Sequence, residues 1–343
     1  MTPHGWTGTA AVLADRIAAF IDASLADEPT EDFGALALDV HAWQRQNDPI
    51  LAKLAGVPSS WRDIPAVSVE LFKHVRVGTI GRGLESVEFL TSGTTGGGRG
   101  AHFMRSTWLY DKAAVGWARK QLPEAPSDVV ALLEDPILAS ESSLSHMVDL
   151  FKTWTTPAGE ASWHVYLGRL NHQRLNERIK SADRPLFVAT TAFALAEWLE
   201  AEPARLPSGS YLMVTGGLKG RSHSFEGDTL YALARERLGP LTLVTEYGMT
   251  ELSSQLWGTP DQPYAPPPWL RVLAVDPHTG SARPAGSRGQ LRFLDLANLD
   301  GTLVIDTLDE GTVHEDGRVT LHGRLAGSPA RGCSLSIEES WDR

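Results

Sequence analysis

The chain has 343 residues and a formal net charge of −11, with acidic side chains along most of its length. That charge argues against non-specific nucleic-acid binding, which needs a basic face to neutralise phosphates. With 42% hydrophobic residues the chain can bury one large core or two of ordinary size, and it has no run of about 18 apolar residues that would mark a transmembrane helix.

In chain order, Ala10–Ala26 is amphipathic, with Val12, Leu13, Ile17, Phe20, Ile21 and Leu25 at helical spacing on one face. Asp15, Arg16 and Asp22 interrupt it, so it reads as a helix rather than a signal peptide. Residues 1 to about 60 read as helical throughout. Ile64–Val77 reads as a loop leading into a strand or short helix, and VEFL ends a strand at Leu90. Thr107–Leu122 and Ser143–Trp154 carry helical patterns; Val129–Asp135 and Ser162–Gly168 read as strands. Pro185–Thr191 is a buried strand followed by the helix AFALAEWLEA, Ala192–Ala201. Ser210–Gly217 is strand then turn, Gly227–Gly239 a helix with a glycine stop, and Leu241–Glu251 strand then loop. Buried strands alternating with helices predict α/β layers on a largely parallel sheet. After Pro266–Pro268 the segments WLRVLAVD, GQLRFLDL, GTLVIDTL and GRVTLHG are short strands separated by turn residues, which predicts a small antiparallel unit. The lone cysteine, Cys333, leaves no internal disulfide and fits a reducing, cytoplasmic setting.

Between the strand ending at Leu90 and the helix from Thr107 lies TSGTTGGGRG, Thr91–Gly100. Small residues let a backbone approach a polyanion, free N–H groups and hydroxyls donate to its oxygens, and an arginine neutralises its charge. Composition alone leaves this reading level with that of a flexible surface loop. A Walker A loop is excluded by the missing lysine, and the dinucleotide GxGxxG spacing does not fit.

The stretch resembles the phosphate loop of the adenylate-forming superfamily, the acyl-CoA synthetases, peptide-synthetase adenylation domains and luciferases, which reads close to TSGTTGxPKG. Gly98 stands at the usual proline and Arg99 at the usual lysine. Other landmarks occur in the superfamily's order. VTGG, Val214–Gly217, resembles the turn whose backbone lies against adenine. EYGMTE, Glu246–Glu251, resembles YGxTE. TLDEGTVHEDGR, Thr307–Arg318, resembles TGD…DGR, and GRLAGSPARG, Gly323–Gly332, resembles the GRxDxxxKxRG hinge. The resemblance implies ATP with Mg²⁺ and assigns roles accordingly. Thr91, Ser92, Gly93, Thr94, Thr95, Gly96 and Arg99 would hold phosphates; Gly216, Gly217, Tyr247 and Gly248 would lie against adenine. Thr250 would meet the α-phosphate, Glu251 would help hold magnesium, Asp309 would take the ribose hydroxyls, and Arg324 would sit near ribose and phosphate. Without the resemblance, Tyr247 reads equally as a core aromatic and Asp309 as a turn residue.

Two departures matter. Ala326 stands at the hinge aspartate, and the sequence ends about twenty residues past Gly323, where the superfamily continues into a mobile domain of roughly a hundred residues. The expectation is therefore the adenylate-forming large-domain fold with that mobile domain absent or vestigial. RGCSLSIEES, with Cys333 straight after the hinge, resembles the acyl-protein synthetases of the bacterial luminescence type (LuxE-like), as do IPAVSVELFKH, SSLSHMVDLF and DLANLDGTLVIDTLDEG. That family implies activation of a fatty acid as acyl-AMP, capture on a cysteine and transfer to an acyl-acceptor protein such as an acyl reductase or carrier protein. A thiolate suits such a capture, because it attacks a mixed anhydride readily.

The expected organisation is a helical segment over 1–60, an α/β nucleotide- and acyl-binding core over 61–265, a small β subdomain over 266–322 completing the same large domain, and a tail over 323–343 carrying Cys333. The strand-helix VATTAFALAEWL, Val188–Leu199, is a candidate wall of an acyl pocket. Two rival readings stay open: direct delivery of the acyl group to CoA or a carrier, with Cys333 structural, and a non-catalytic nucleotide-binding or interaction protein.

Overall fold

The computed structural model describes residues 4–28, 31–54, 56–91, 98–122, 128–155, 160–216 and 227–326. Helices α1 (Gly8–Leu25) and α2 (Phe33–Asn47) come first, then a two-residue strand β1 (Val67–Ser68) that runs into a 3-10 turn, Val69–Lys73. The strands β2 (Val87–Leu90) and β3 (Ala101–Met104) are followed by α3 (Trp108–Gln121), β4 (Asp128–Glu134) and α4 (Ser143–Leu150). Next come β5 (Ala161–Tyr166), β6 (Arg169–Leu170), α5 (His172–Lys180), β7 (Leu186–Thr191) and α6 (Ala192–Glu200). The remainder is β8 (Ser210–Thr215), α7 (Gly227–Leu238), β9 (Leu241–Tyr247), β10 (Leu256–Thr259), β11 (Gln262–Ala265), β12 (Leu270–Val275), β13 (Arg288–Asp295), β14 (Val304–Val313) and β15 (Val319–Arg324).

One large sheet runs in the order β12-β13-β14-β15-β11-β10-β9-β8-β7-β4-β5-β6, with β1 beside β14. The strands β5, β4, β7, β8 and β9 pair in parallel; β12 to β15 pair antiparallel, and the hairpin of β10 and β11 joins the two halves. Side chains in the parallel half alternate between two cores, as the two-residue period of a strand requires. Phe187, Ala189, Tyr211, Met213 and Val244 face the core built with α1 to α4. Val188, Leu212, Val214 and Leu243 face the one built with α5, α6 and α7. Both faces are covered, which is why these strands read as unbroken apolar runs. A third cluster packs Leu270, Val272, Leu291, Phe293, Ile305 and Val319 of the antiparallel half against Val67, Val69, Phe72 and Val77.

Helix starts follow side-chain capping. Asp32 accepts from the Ala35 N–H at 2.8 Å, Ser142 from Ser145 at 3.1 Å and Thr191 from Ala194 at 3.2 Å, each satisfying an orphan donor of the first turn. The N-terminal helices are tied to the far end of the chain. Gln44 donates to the Asn298 and Leu299 carbonyls at 2.9 and 3.0 Å and accepts from the Leu303 N–H at 2.9 Å.

Several local expectations are corrected. Val12 does not share the buried face of α1; it is 58% exposed, because the helix docks through Ala10, Leu13, Ala14, Ile17, Ile21 and Ser24. The helical stretch 143–154 ends as α4 at Leu150 and tightens into a 3-10 turn, Phe151–Thr153. Helix α6 packs Ala194, Leu195, Ala196, Trp198 and Leu199 into the core against α5 and α7. Helix α5 and the hairpin of β10 and β11 went unread in the sequence. None of the described helices is long and apolar enough to cross a membrane.

Candidate active site

The loop Thr91–Gly100 springs from the tip of a hairpin. β2 and β3 pair antiparallel with Leu90 opposite Ala101, so the loop's two stems are adjacent. Thr91 clasps them: its N–H donates to the Gly100 carbonyl at 2.8 Å, and its Oγ1 accepts from the Gly100 N–H at 2.8 Å. Arg99 turns back onto its own stem, with Nε donating to the Thr91 carbonyl at 2.9 Å and Nη1 at 3.5 Å from Glu141 Oε1. The Leu90 N–H donates to the Glu141 carbonyl at 2.9 Å, which staples the hairpin to the start of α4. Ser92, Gly93, Thr94, Thr95 and Gly96 lie outside the described residues, as do Gly217 and Cys333.

Gly216, Tyr247, Gly248, Thr250 and Glu251 stand at or just past the carboxyl ends of β8 and β9, where ligands of open α/β sheets bind, and Asp309 and Arg324 come from β14 and β15. Gly216 turns the chain out of β8 with φ 73°, a left-handed conformation that favours glycine. At the end of β9 consecutive side chains diverge. Tyr247 stacks on Phe293, with ring centroids 5.6 Å apart and planes 19° apart, and meets Tyr264 edge-on. Its hydroxyl donates to Asp309 Oδ2 at 2.8 Å. Asp309 faces Arg324 across the β14–β15 ladder, with Oδ1 3.6 Å from Nη1. Tyr247, Asp309 and Arg324, which lie far apart in the sequence, thus form one contact chain. Burial pushes the Tyr247 phenol well above its ordinary range, and the Asp309 charge adds to the shift. Arg324 Nε and Nη2 are buried with no hydrogen-bond partner among the described residues. One unspent guanidinium edge, Nε with Nη2, beside a carboxylate suits the oxygens of a ribose phosphate.

Glu251 is fully buried, and its carbonyl accepts from Asn298 Nδ2 at 2.8 Å. The Thr250 carbonyl accepts from His102 Nδ1 at 2.8 Å. A carbonyl only accepts, so Nδ1 carries the proton; burial lowers the imidazole pKa, which keeps the ring neutral. His102 on β3 therefore ties the stem of the Thr91–Gly100 loop to the Thr250–Glu251 turn. On the far side, Asp295 anchors the next residues: Oδ2 accepts from the Ser253 N–H at 2.8 Å and Oδ1 from Ser254 Oγ at 2.7 Å.

Sequence reasoning gave no role to four polar residues here, His102, Asn298, Asp295 and Glu246, although the last three lie within the stretches DLANLDGTLVIDTLDEG and EYGMTE. Glu246 is buried opposite Thr215, whose Oγ1 donates to Oε2 at 2.5 Å. Burial pushes its carboxyl up to about 7. Nearby, His146 Nε2 donates to Asp111 Oδ1 at 2.7 Å, between the rings of Phe89 and Tyr110.

No protein-family model matches the sequence, and no curated protein matches it. Solved structures do. MatB from Rhodopseudomonas palustris, with ATP bound, aligns over 72% of this chain and 50% of its own at 16% identity, with a TM-score of 0.50. The amide bond synthetase McbA from Marinactinospora thermotolerans aligns over 77% and 53% at 20% identity, TM-score 0.50. The O-succinylbenzoate coenzyme A synthetase MenE from Bacillus subtilis, in complex with AMP, aligns over 80% and 53% at 16% identity, TM-score 0.51. The chain spans about half the length of these proteins. At such identities the likeness is one of fold, and the fold is that of adenylate-forming enzymes.

Proposed function

We propose that this chain uses ATP to activate a carboxylic acid as an acyl-adenylate and then takes the acyl group onto Cys333 as a thioester, for transfer to a partner protein. The single observation that carries the activation step is the chain Tyr247–Asp309–Arg324, with one guanidinium edge that has no partner among the described residues, beside the carboxyl end of β9. In the first step a carboxylate oxygen of the acid attacks the α-phosphorus of ATP. The P–O bond to pyrophosphate breaks, giving acyl-AMP. Tyr247 supplies an aromatic wall for the base, Asp309 accepts from the ribose hydroxyls, and Arg324 donates to ribose and phosphate oxygens. The loop Thr91–Gly100 holds the outer phosphates, and Thr250 donates its hydroxyl to the α-phosphate. Catalysis of this kind is positioning and charge stabilisation more than covalent chemistry. Glu251 is a hard oxygen donor suited to Mg²⁺, which when bound would neutralise phosphate charge.

In the second step the Cys333 thiolate attacks the acyl carbonyl carbon. The S–C bond forms, the C–O bond to AMP breaks, and the thiol proton passes to solvent. This step rests on the resemblance of RGCSLSIEES to the luminescence-type acyl-protein synthetases, which also implies a long-chain fatty acid and an acyl reductase or carrier protein as acceptor.

The test is intact-protein mass after incubation with MgATP and a panel of fatty and aromatic acids, wild type against Cys333→Ser. An ATP-dependent acyl adduct on the wild type alone, released by neutral hydroxylamine, is the expected result. Acid-dependent pyrophosphate release without an adduct would keep the activation step and remove Cys333 from it. Silence in both would overturn the whole reading.

A further inference from the structure

The stem of the Thr91–Gly100 loop and the turn after β9 belong to separate sheets. β2 and β3 form a two-stranded sheet of their own, and among the described residues no ladder joins it to the large sheet that runs through β9 into Thr250 and Glu251. Strand pairing therefore does not fix the distance between the loop and the turn; side chains must. The Leu90 N–H binds the hairpin to the Glu141 carbonyl, and the Arg105 N–H donates to Asp300 Oδ2 at 2.8 Å. His102 reaches the turn itself, with Nδ1 donating to the Thr250 carbonyl at 2.8 Å.

His102 is fully buried and shares the inner face of β3 with Met104, as the two-residue period of a strand requires. An apolar side chain would fill that position without giving up water, whereas an imidazole loses hydration that only hydrogen bonds restore. The ring recovers one of its two. With the proton on Nδ1, Nε2 is an acceptor, and it has no partner among the described residues. Asn298 Oδ1 is a second buried acceptor without a partner there. The two lie close together, since a Cβ on Gly301 would stand 2.9 Å from Nε2 and 2.5 Å from Oδ1. The Asn298 amide cannot turn round to offer a donor, because Nδ2 is held by the Glu251 and Thr302 carbonyls at 2.8 and 3.0 Å. For packing alone leucine would serve better here. What histidine adds is one directed bond from the loop stem to the turn.

That bond joins two parts which, in the activation reading, grip different ends of one molecule: the loop takes the outer phosphates of ATP and Thr250 takes the α-phosphate. We propose, resting on that reading, that His102 is a positioning residue which sets the spacing of these two half-sites and so makes the site favour a triphosphate over a monophosphate. A ligand that engages both half-sites gains when they are already held at the right separation, because its second contact is made without further ordering. AMP and pyrophosphate each engage one half-site and gain nothing from the spacing. The segment 298–302 braces the same frame, with Asn298 on the Glu251 carbonyl and Asp300 on the Arg105 N–H.

The test uses the full chain and calorimetric titration with ATP, AMP and pyrophosphate, each with Mg²⁺ and without acid, on the wild type, His102→Asn, His102→Gln and His102→Leu. Pyrophosphate release with the panel of acids named above is read in parallel. The amide nitrogen of asparagine falls where Nδ1 stands, and that of glutamine where Nε2 stands, so only His102→Asn keeps the donor to Thr250. ATP affinity should fall by about tenfold in the glutamine and leucine variants, the equivalent of one net hydrogen bond, and by no more than about threefold in the asparagine variant. AMP and pyrophosphate affinities should stay within about twofold throughout. Urea midpoints check that each variant folds; if leucine does not, the comparison of asparagine with glutamine carries the test. If the three ligands weaken together, if none weakens, if the wild type binds ATP no more tightly than AMP, or if asparagine loses as much as glutamine, the inference falls while nucleotide binding stands. If the loss is confined to ATP but no acid releases pyrophosphate, the inference stands and acid activation falls. A wild type that binds none of the three overturns both.

Discussion

Replacing Glu246 by glutamine isolates what it costs this fold to bury that carboxyl. In the folded protein burial raises the group from its ordinary 4.5 to about 7, against a lowering by the Thr215 hydrogen bond. Below pH 4.5 the side chain is protonated in both folded and unfolded chains and contributes no pH dependence. Between 4.5 and 7 the unfolded chain ionises while the folded one holds its proton, so folding loses about 1.4 kcal/mol per pH unit. Above 7 both forms are ionised and the loss levels off at about 3 kcal/mol, an order-of-magnitude figure from the same conversion. Glutamine has the same shape, can still accept from Thr215 and does not titrate. The variant should therefore match the wild type near pH 4.5 and exceed it increasingly up to pH 8. Asp295, which burial raises to about 6, adds a similar slope to both proteins and cancels in the difference. The assay is urea unfolding of both proteins at pH 5, 6, 7 and 8 with a shared slope, comparing midpoints. A stability difference that stays flat across that range would refute the placement of an uncompensated carboxyl between Thr215 and Tyr110.

Thr91→Val removes the oxygen that accepts from the buried Gly100 N–H while keeping the side chain's shape; stability should drop by about 1–3 kcal/mol, and calorimetric titration should find ATP binding weakened by about tenfold or more. Asn298→Ala strips donors from the Glu251 and Thr302 carbonyls, so the urea midpoint should fall by the equivalent of about 2 kcal/mol or more, and the Mg²⁺ needed for half-maximal pyrophosphate release should rise. Gln44→Leu cuts three hydrogen bonds between α2 and residues 298 to 303, and unfolding by denaturant should become easier by about 2–4 kcal/mol, with the Glu251 turn more open to hydrogen exchange. Tyr247→Phe keeps the stacked ring but leaves Asp309 Oδ2 without its donor; nucleotide affinity should shift more than stability, since Arg324 still faces that carboxylate.

How far the fold could be read ahead of the structure depended on how local each signal was. The strands β4, β7 and β8 are buried on both faces, and their continuous apolar runs announce it. Helix α5 has only Leu175 and Ile179 buried among charged residues, too thin a stripe to stand out, and β10 and β11 are short and interrupted by Gly258 and Pro263. Val12 was misjudged because it stands one position from Leu13, and only the docking of α1 decides which edge of an apolar stripe meets water.

The same division runs through the site itself. Residues assigned to the nucleotide, such as Tyr247, Asp309 and Arg324, each sit in a short stretch whose own spacing carries the pattern. The surroundings of Glu246 have no such stretch. Glu246 stands beside Tyr247 in the sequence, yet its environment comes from Thr215 on β8, Tyr110 on α3 and Trp257 across the ladder on β10. A one-residue shift in the pairing of β9 with β10 would move Trp257 to the other face, away from Glu246. The surroundings of Glu246 are thus written in register.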